Sequence, residues 1–122
     1  MPNILPLELK DVSFEINGMR YIKEIDFILN AGSNTVILGP NGAGKSLFLR
    51  LCHGLVSPTD GSINWHGTAA QKPGNYQAMV FQKPVMLKRS VLANLHFGLK
   101  CRGIPKIKRV PMIEKIIEKI GL

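Results

Sequence analysis

The sequence predicts an α/β fold: an antiparallel hairpin, then a strand–loop–helix unit, then a pair of helices. The first observation is a glycine-rich loop at residues 39–46, between an apolar, β-branched run and an apolar helical run. The second is an alternating segment divided by Asn17-Gly18, a dipeptide typical of tight hairpin turns. The third is the recurrence of Leu and Ile at helical spacing after residue 90.

The predicted hairpin has an irregular first strand. Leu7 and Leu9 alternate with charged residues, and the apolar phase then shifts by one residue at Val12, which predicts a bulge near Asp11. The return strand is expected over residues 21–29. A further strand at 35–38 is apolar on both faces, so we expect it to be buried between neighbouring strands.

The elements after the loop follow from turn and cap signals. The loop helix should end at Gly54, and a short strand is expected over residues 62–65. Residues 68–77 are predicted to be a loop, and a second apolar strand is expected at 78–81. Ser90 is a candidate N-cap for the next helix, and isoleucines from Ile113 onward mark one face of the last helix.

The loop itself predicts the ligand. It reads Gly-Pro-Asn-Gly-Ala-Gly-Lys-Ser, which matches G-x-x-x-x-G-K-[ST] in the strand–loop–helix context that the motif requires. Its glycines let the chain curl so that backbone N–H groups and the helix N-terminus face an anion. The simpler interpretation is a glycine-rich turn that happens to contain Lys-Ser. We predict a P-loop core that binds a nucleoside triphosphate through Gly39, Pro40, Asn41, Gly42, Ala43, Gly44, Lys45, Ser46 and Leu47.

Composition narrows the classes of protein to which the chain could belong. No run approaches the roughly 20 apolar residues needed to cross a bilayer, the start shows no secretory pattern, and Cys52 and Cys101 lack metal-ligand spacing. The net charge is +8, and no acidic residue occurs between Asp60 and Glu114. Such a basic half is typical of nucleic-acid or anionic-membrane surfaces. We favour the simpler explanation that balancing acidic residues lie elsewhere in the protein, because aromatic residues do not accompany the charge.

The residues around the loop resemble the ATPase domain of ABC transporters. The resemblance lies in the P-loop and the residues after it to 63, in the opening strands, and in Met79-Val-Phe-Gln-Lys-Pro. It implies ATP and Mg²⁺ as ligands, with Lys45 on the phosphates and Ser46 on the metal. It also implies that Gln82 contacts Mg²⁺ and the attacking water. Residues 1–82 would then belong to the ATP-binding core, and residues 83–122 would begin a helical subdomain.

Two positions depart from the family pattern. Leu47 stands where a Thr or Ser hydroxyl usually helps to hold the α-phosphate, and one neutral hydrogen bond contributes about 0.5–1.5 kcal/mol. We therefore expect weaker binding rather than none. The slot of the aromatic residue that stacks on adenine falls on the aliphatic Ile16. Phe14 or Tyr21 would take its place only if the hairpin register differs.

The family's signature motif, its acidic strand with the Mg²⁺-binding Asp and catalytic Glu, and its switch histidine do not occur up to Leu122. We therefore expect an incomplete core, and we expect that these 122 residues alone do not hydrolyse ATP. His53, His66 and His96 are interpreted as surface or packing residues. A non-catalytic or pseudogene-derived fragment is the alternative function.

The resemblance also implies partners. The segment from Lys83 to Leu95 would face a membrane permease in an importer, or its apolar residues would merely pack the start of a helix. The family implies a homodimer that lies on the cytoplasmic side of the membrane. The sequence of this segment most resembles that of importers of oxyanions such as tungstate and phosphate. A nucleic-acid-binding module would depend on charge alone, and we do not expect one.

Overall fold

The structure, a computed structural model, describes residues 1–122 as two compact units, Met1–Met79 and Val80–Leu122. The first unit contains strands and one helix, and the second contains helices. The elements in chain order are β1 (Leu7–Ile16), β2 (Met19–Leu29), α1 (Lys45–His53), β3 (Asp60–Trp65), a short 3₁₀ turn (Pro73–Asn75), α2 (Val91–Cys101) and α3 (Lys106–Ile120). The α/β class is confirmed.

The sheet is antiparallel in the order β2-β1-β3, with β1 at its centre. Ile16 pairs with Met19 across the hairpin, and Asn17 and Gly18 both have positive φ, as a tight primed turn requires. The predicted bulge is confirmed, because the register shifts between Leu9 and Val12. Asp11, within this bulge, has a φ of 49° and donates its N–H to Asp26 Oδ1 at 2.9 Å.

β3 approaches the bulge of β1 so closely that only glycine fits at one position. Gly61 has a φ of 82°, and a Cβ there would overlap the carbonyl oxygens of Lys10 and Asp11. A glycine in a strand often marks such a close backbone approach. The bulge and Gly61 therefore belong to one local arrangement that brings β3 against β1.

The core of the first unit lies between the sheet and α1. Its buried side chains come from both, and Phe48 of α1 meets Phe27 of β2 edge to face at a centroid distance of 5.6 Å. Each large apolar side chain buried here contributes about 1.5–3 kcal/mol. The helix ends at Gly54, as predicted, with a φ of 81° and its N–H on the carbonyls of Arg50 and Leu51. Packing on the sheet thus buries one face of α1, and glycines at 44 and 54 mark its two ends.

Two predicted strands are wrong. Residues 35–38 and 78–81 adopt no regular structure, and Val36, Leu38 and Val80 are 78%, 87% and 90% exposed. An apolar run reports a tendency to be buried, whereas a strand also needs a neighbouring backbone with which to pair. Neither segment has such a neighbour among residues 1–122. Only Ile37 of the first segment packs against the core.

The second unit is a helical pair. Ser90 caps α2 as predicted, since its Oγ accepts the N–H of Ala93 at 3.2 Å. α3 begins at Lys106, earlier than the isoleucine pattern indicates, and Gly121 ends it with a φ of 74°. Neither helix, nor α1, has the length and apolar character needed to span a membrane. Cys101 is exposed at the end of α2, whereas Cys52 on α1 is half-buried.

Candidate phosphate-binding site

The loop at residues 39–46 depends on two glycines with positive φ. Gly42 has a φ of 83° and Gly44 a φ of 91°, and the helix begins immediately afterwards at Lys45. A Cβ on Gly44 would stand 3.1 Å from Ile22 Cδ1 and 3.2 Å from the carbonyl oxygen of Tyr21. Any side chain there would therefore be strained by its backbone and crowded by β2. The glycine lets the loop lie directly against the sheet.

The start of α1 presents unsatisfied backbone donors. The first helical hydrogen bond is donated by the N–H of Phe48 to the carbonyl of Gly44 at 2.8 Å. The N–H groups of Lys45, Ser46 and Leu47 precede that bond, and no side chain caps the helix. No acidic residue lies in the first turn to neutralise the positive end of the helix. This arrangement suits an anion such as a phosphate group.

Lys45 closes the loop on itself. Its Nζ donates to the carbonyl oxygens of Gly39 and Pro40, each at 2.6 Å. The ammonium is thus held over the curl of the loop by two backbone acceptors. A side chain that is already positioned would lose little conformational entropy if a phosphate group bound beside it.

The next two residues explain one departure from the family pattern. Ser46 is exposed, so its hydroxyl is accessible to a metal or a phosphate oxygen. Leu47 is half-buried and packs against the core of the first unit. Its side chain therefore contributes to packing instead of presenting a hydroxyl group to the loop.

The three candidates for base stacking occupy different environments. Ile16 is 49% exposed at the hairpin turn, and Phe14 packs against the core. Tyr21 is 47% exposed, and its own carbonyl oxygen lies against Gly44 of the loop. Of the two aromatic residues, Tyr21 is thus the exposed one with its backbone beside the loop.

An apolar cleft of about 330 Å³ lies beside the loop, between β2 and residues 35–38. Phe27 and Phe48 line it together with Val36 and Leu38, and Lys45 borders it. Such a lining suits apolar side chains and offers few groups to a highly charged triphosphate. The donors that suit a phosphate are therefore those of the loop and of the helix start, and Ala43, Gly44 and Lys45 of the loop are among the residues that line the cleft.

The other predicted residues lie apart from the loop in the chain. Gln82 belongs to the second unit, where it is exposed and outside any helix or strand. His66 joins β3 to β1, with its Nε2 2.9 Å from Glu8 Oε2. His53 and His96 are half-buried, consistent with the packing interpretation.

Asn94 is a residue whose importance the sequence reasoning missed. Its Oδ1 accepts the N–H of Leu87 at 3.0 Å, and its Nδ2 lies 3.1, 3.2 and 3.0 Å from the carbonyls of Leu87, Arg89 and Ser90. Two amide hydrogens are thus shared among three acceptors. One side chain on α2 thereby holds the segment before the helix. The only signal in the sequence was an Asn inside a helix, where its local hydrogen bonds compete with helical ones.

The phosphate-binding loop on an α/β core defines a nucleotide-binding class, and comparison with known proteins identifies the family. A sequence model described as ABC transporter matches residues 22–122. The chain therefore belongs to the ABC transporter family, as its motifs predicted. It is 39% identical over 113 residues to an uncharacterized ABC transporter ATP-binding protein of Methanocaldococcus jannaschii, covering 89% of this chain and 42% of that protein.

A second relative is a taurine import ATP-binding protein of Escherichia coli. It is 33% identical over 117 residues, which cover 95% of this chain and 46% of the relative. The chain thus spans less than half the length of both relatives. Oxyanion import stays a prediction.

Two solved structures have a similar fold. An ATP-binding subunit of an ABC transporter superposes with a TM-score of 0.70 at 24% identity, covering 84% of this chain and 45% of that one. A bacterial Atm1-family ABC exporter with ATP bound gives a TM-score of 0.69 at 25% identity, covering 80% and 18%. The predicted P-loop core with antiparallel strands is therefore confirmed as a fold.

Proposed function

We propose that the chain binds ATP through residues 39–47 and acts as the ATP-binding part of an ABC importer. The observation that carries this proposal is the loop geometry: three unsatisfied N–H groups at the start of α1 and an ammonium fixed beside them. Both features favour a polyanion. Family membership identifies that polyanion with the phosphates of ATP.

Magnesium enters this proposal through Ser46. Its hydroxyl is exposed at the start of α1, one residue after the phosphate-binding Lys45. A hydroxyl oxygen and phosphate oxygens are ligands that Mg²⁺ accepts. Gln82 would supply an amide oxygen to the metal and orient the attacking water, the roles that the family resemblance implies. Neither residue is a general base, so we propose that these 122 residues bind ATP without turning it over.

The proposal extends to a permease as partner. The apolar residues Val85 and Met86 are 92% and 64% exposed, and Asn94 holds the adjoining Leu87. A segment that is exposed, apolar and fixed in shape is suited to docking on another protein. The name of the Escherichia coli relative favours import. The whole protein would form a homodimer and lie at the cytoplasmic face of the membrane.

The test of ATP binding is substitution of the loop lysine. Lys45→Ala removes the only side-chain cation in the loop, so Mg-ATP affinity should fall by about 10- to 150-fold, the equivalent of a hydrogen bond to a charged group. Titration calorimetry measures the affinity of the purified protein. Lys23→Ala, on the exposed surface of β2, is the matched control and should bind as the unsubstituted protein does. Equal affinity of both variants would contradict the role of Lys45.

A further inference from the structure

The net charge of the protein is confined to one of its two units. Residues 1–79 contain six basic and six acidic side chains, so their charges cancel. Residues 80–122 contain ten basic side chains and only two acidic ones, Glu114 and Glu118. The whole charge of +8 therefore belongs to the helical unit. The ten basic residues are Lys83, Lys88, Arg89, Lys100, Arg102, Lys106, Lys108, Arg109, Lys115 and Lys119.

Half of these charges lie around the α2–α3 turn, and the three lysines among them are accessible. Five of them fall within residues 100–109, a stretch without an acidic residue. Lys100, Lys106 and Lys108 are exposed, and the aliphatic Ile107 between the last two is 84% exposed. The ion pairs of Glu8 and Glu15 lie in the first unit. We call residues 100–109 the basic turn.

Arg109 holds the basic turn, because its Nε donates to the carbonyl oxygen of Ile104 at 2.7 Å, but the stability of the helix does not explain the lysines. Lys106, Lys108 and Arg109 occupy the first turn of α3, where no acidic residue is present. Positive side chains at a helix N-terminus add to the positive end of the helix dipole and are unfavourable. A sequence selected for helix stability alone would place Asp or Glu there. Acidic residues elsewhere in the protein would balance the net charge but would not explain why cations lie at this helix start, whereas charge complementarity to an external anion would.

We propose that the basic turn binds the surface of an anionic phospholipid bilayer, with Ile107 entering the interface between headgroups. Clustered Lys and Arg residues are attracted to anionic lipids, and exposed aliphatic side chains among them add apolar burial. The composition favours a bilayer over a nucleic acid, because the basic turn contains no aromatic residue on which bases would stack. This contact is separate from the proposed permease contact and needs no other protein.

The test uses purified full-length protein and vesicles that contain no permease. Binding to phosphatidylcholine vesicles with added phosphatidylglycerol should exceed binding to phosphatidylcholine alone and should decrease as salt is raised. Each basic residue near an anionic surface raises the membrane partition coefficient about fivefold. Lys106→Glu with Lys108→Glu should therefore weaken partitioning by at least about 25-fold. Both changes also favour the N-terminus of α3, so a loss of binding cannot be attributed to unfolding.

The matched control reverses two lysines of the neutral unit. Lys23→Glu with Lys72→Glu changes the net charge equally and should leave partitioning within about twofold of the unsubstituted protein. An equal loss in both double variants would overturn the proposal, since net charge rather than the basic turn would then control binding. Retained binding in the Lys106/Lys108 variant would also overturn it. So would tighter binding to oligonucleotides than to anionic vesicles at the same salt concentration.

Discussion

At the scale of single residues, Glu8 of the central strand contacts two basic side chains. His66, the residue after β3, and Lys10 on β1 lie 2.9 and 3.3 Å from its carboxylate oxygens. The hydrogen bond from His66, and then that from Lys10, hold the pKa of Glu8 below its ordinary value of 4.5. Because the folded protein favours the ionised form, this contribution to stability is present above the ordinary pKa. It is lost as the pH falls through the lowered value.

The lowered pKa of Glu8 predicts how stability changes with acid. Glu8→Gln should make the free energy of unfolding less dependent on pH below about pH 4.5, with a small effect near neutrality because the group is near the surface. Urea denaturation at a series of pH values measures this dependence. Glu24→Gln, an exposed residue on β2, should keep the full acid response. Parallel pH curves for Glu8→Gln and the unsubstituted protein would contradict the assignment.

At the scale of elements, the segment before α2 depends on one amide side chain. Asn94→Ala removes the hydrogen bonds to Leu87, Arg89 and Ser90 together. A net loss of about 1–2 kcal/mol of local stability should make the Leu87 amide exchange with solvent roughly 5- to 30-fold faster. Hydrogen exchange followed by mass spectrometry measures this change.

A second variant separates the donors of Asn94 from its acceptor. Asn94→Asp keeps an oxygen for the Leu87 N–H but places a carboxylate against three carbonyl groups, so exchange should be at least as fast as in Asn94→Ala. If the segment is the permease contact, both variants should transport less while binding ATP normally. Unchanged exchange at Leu87 in both variants would show that the hydrogen bonds do not hold the segment.

The elements also show how far sequence reasoning reaches. Asn17-Gly18, Gly54 and Ser90 encode local backbone geometry, and the structure confirms each turn or cap. The bulge at Asp11 was predictable because a shift in apolar phase records it directly. Residues 35–38 and 78–81 were mispredicted because pairing depends on distant backbone that an apolar pattern does not specify.

Some features of the candidate site could likewise be predicted from the sequence, and others could not. The loop was predictable because glycines and a lysine at this spacing are rarely needed for anything except binding phosphate. The contacts of Lys45 with Gly39 and Pro40, and those of Asn94, depend on side-chain positions in three dimensions. The assignment of residues 1–82 and 83–122 to two subdomains stays a prediction, as does the involvement of Gln82 in catalysis.

At the scale of the whole molecule, the two units should respond differently to nucleotide. ATP bound at the loop stabilises the unit that holds it, by about 2.7 kcal/mol at a ligand concentration of 100 times the dissociation constant. Hydrogen exchange should therefore slow in β1, β2 and α1 when Mg-ATP is added. α2 and α3 should exchange as before.

The same measurement examines Gln82. Protection that extends to residues 80–82 would support a contact between this glutamine and the bound nucleotide or its metal, and Gln82→Ala should remove that extension alone. Equal slowing throughout both units would contradict the division into two independently responding units. Nucleoside without phosphates serves as the control ligand, because the loop donors address phosphate oxygens.

The two cysteines differ in accessibility, so one of them can be labelled selectively in the native protein. Burial raises the pKa of the Cys52 thiol to about 11, so near neutral pH this sulfur stays protonated and slow to react. Cys101 is exposed within the basic turn. A thiol-directed fluorophore added to the native protein therefore marks the helical unit selectively, and its emission would follow that unit onto a lipid surface without any change to the sequence.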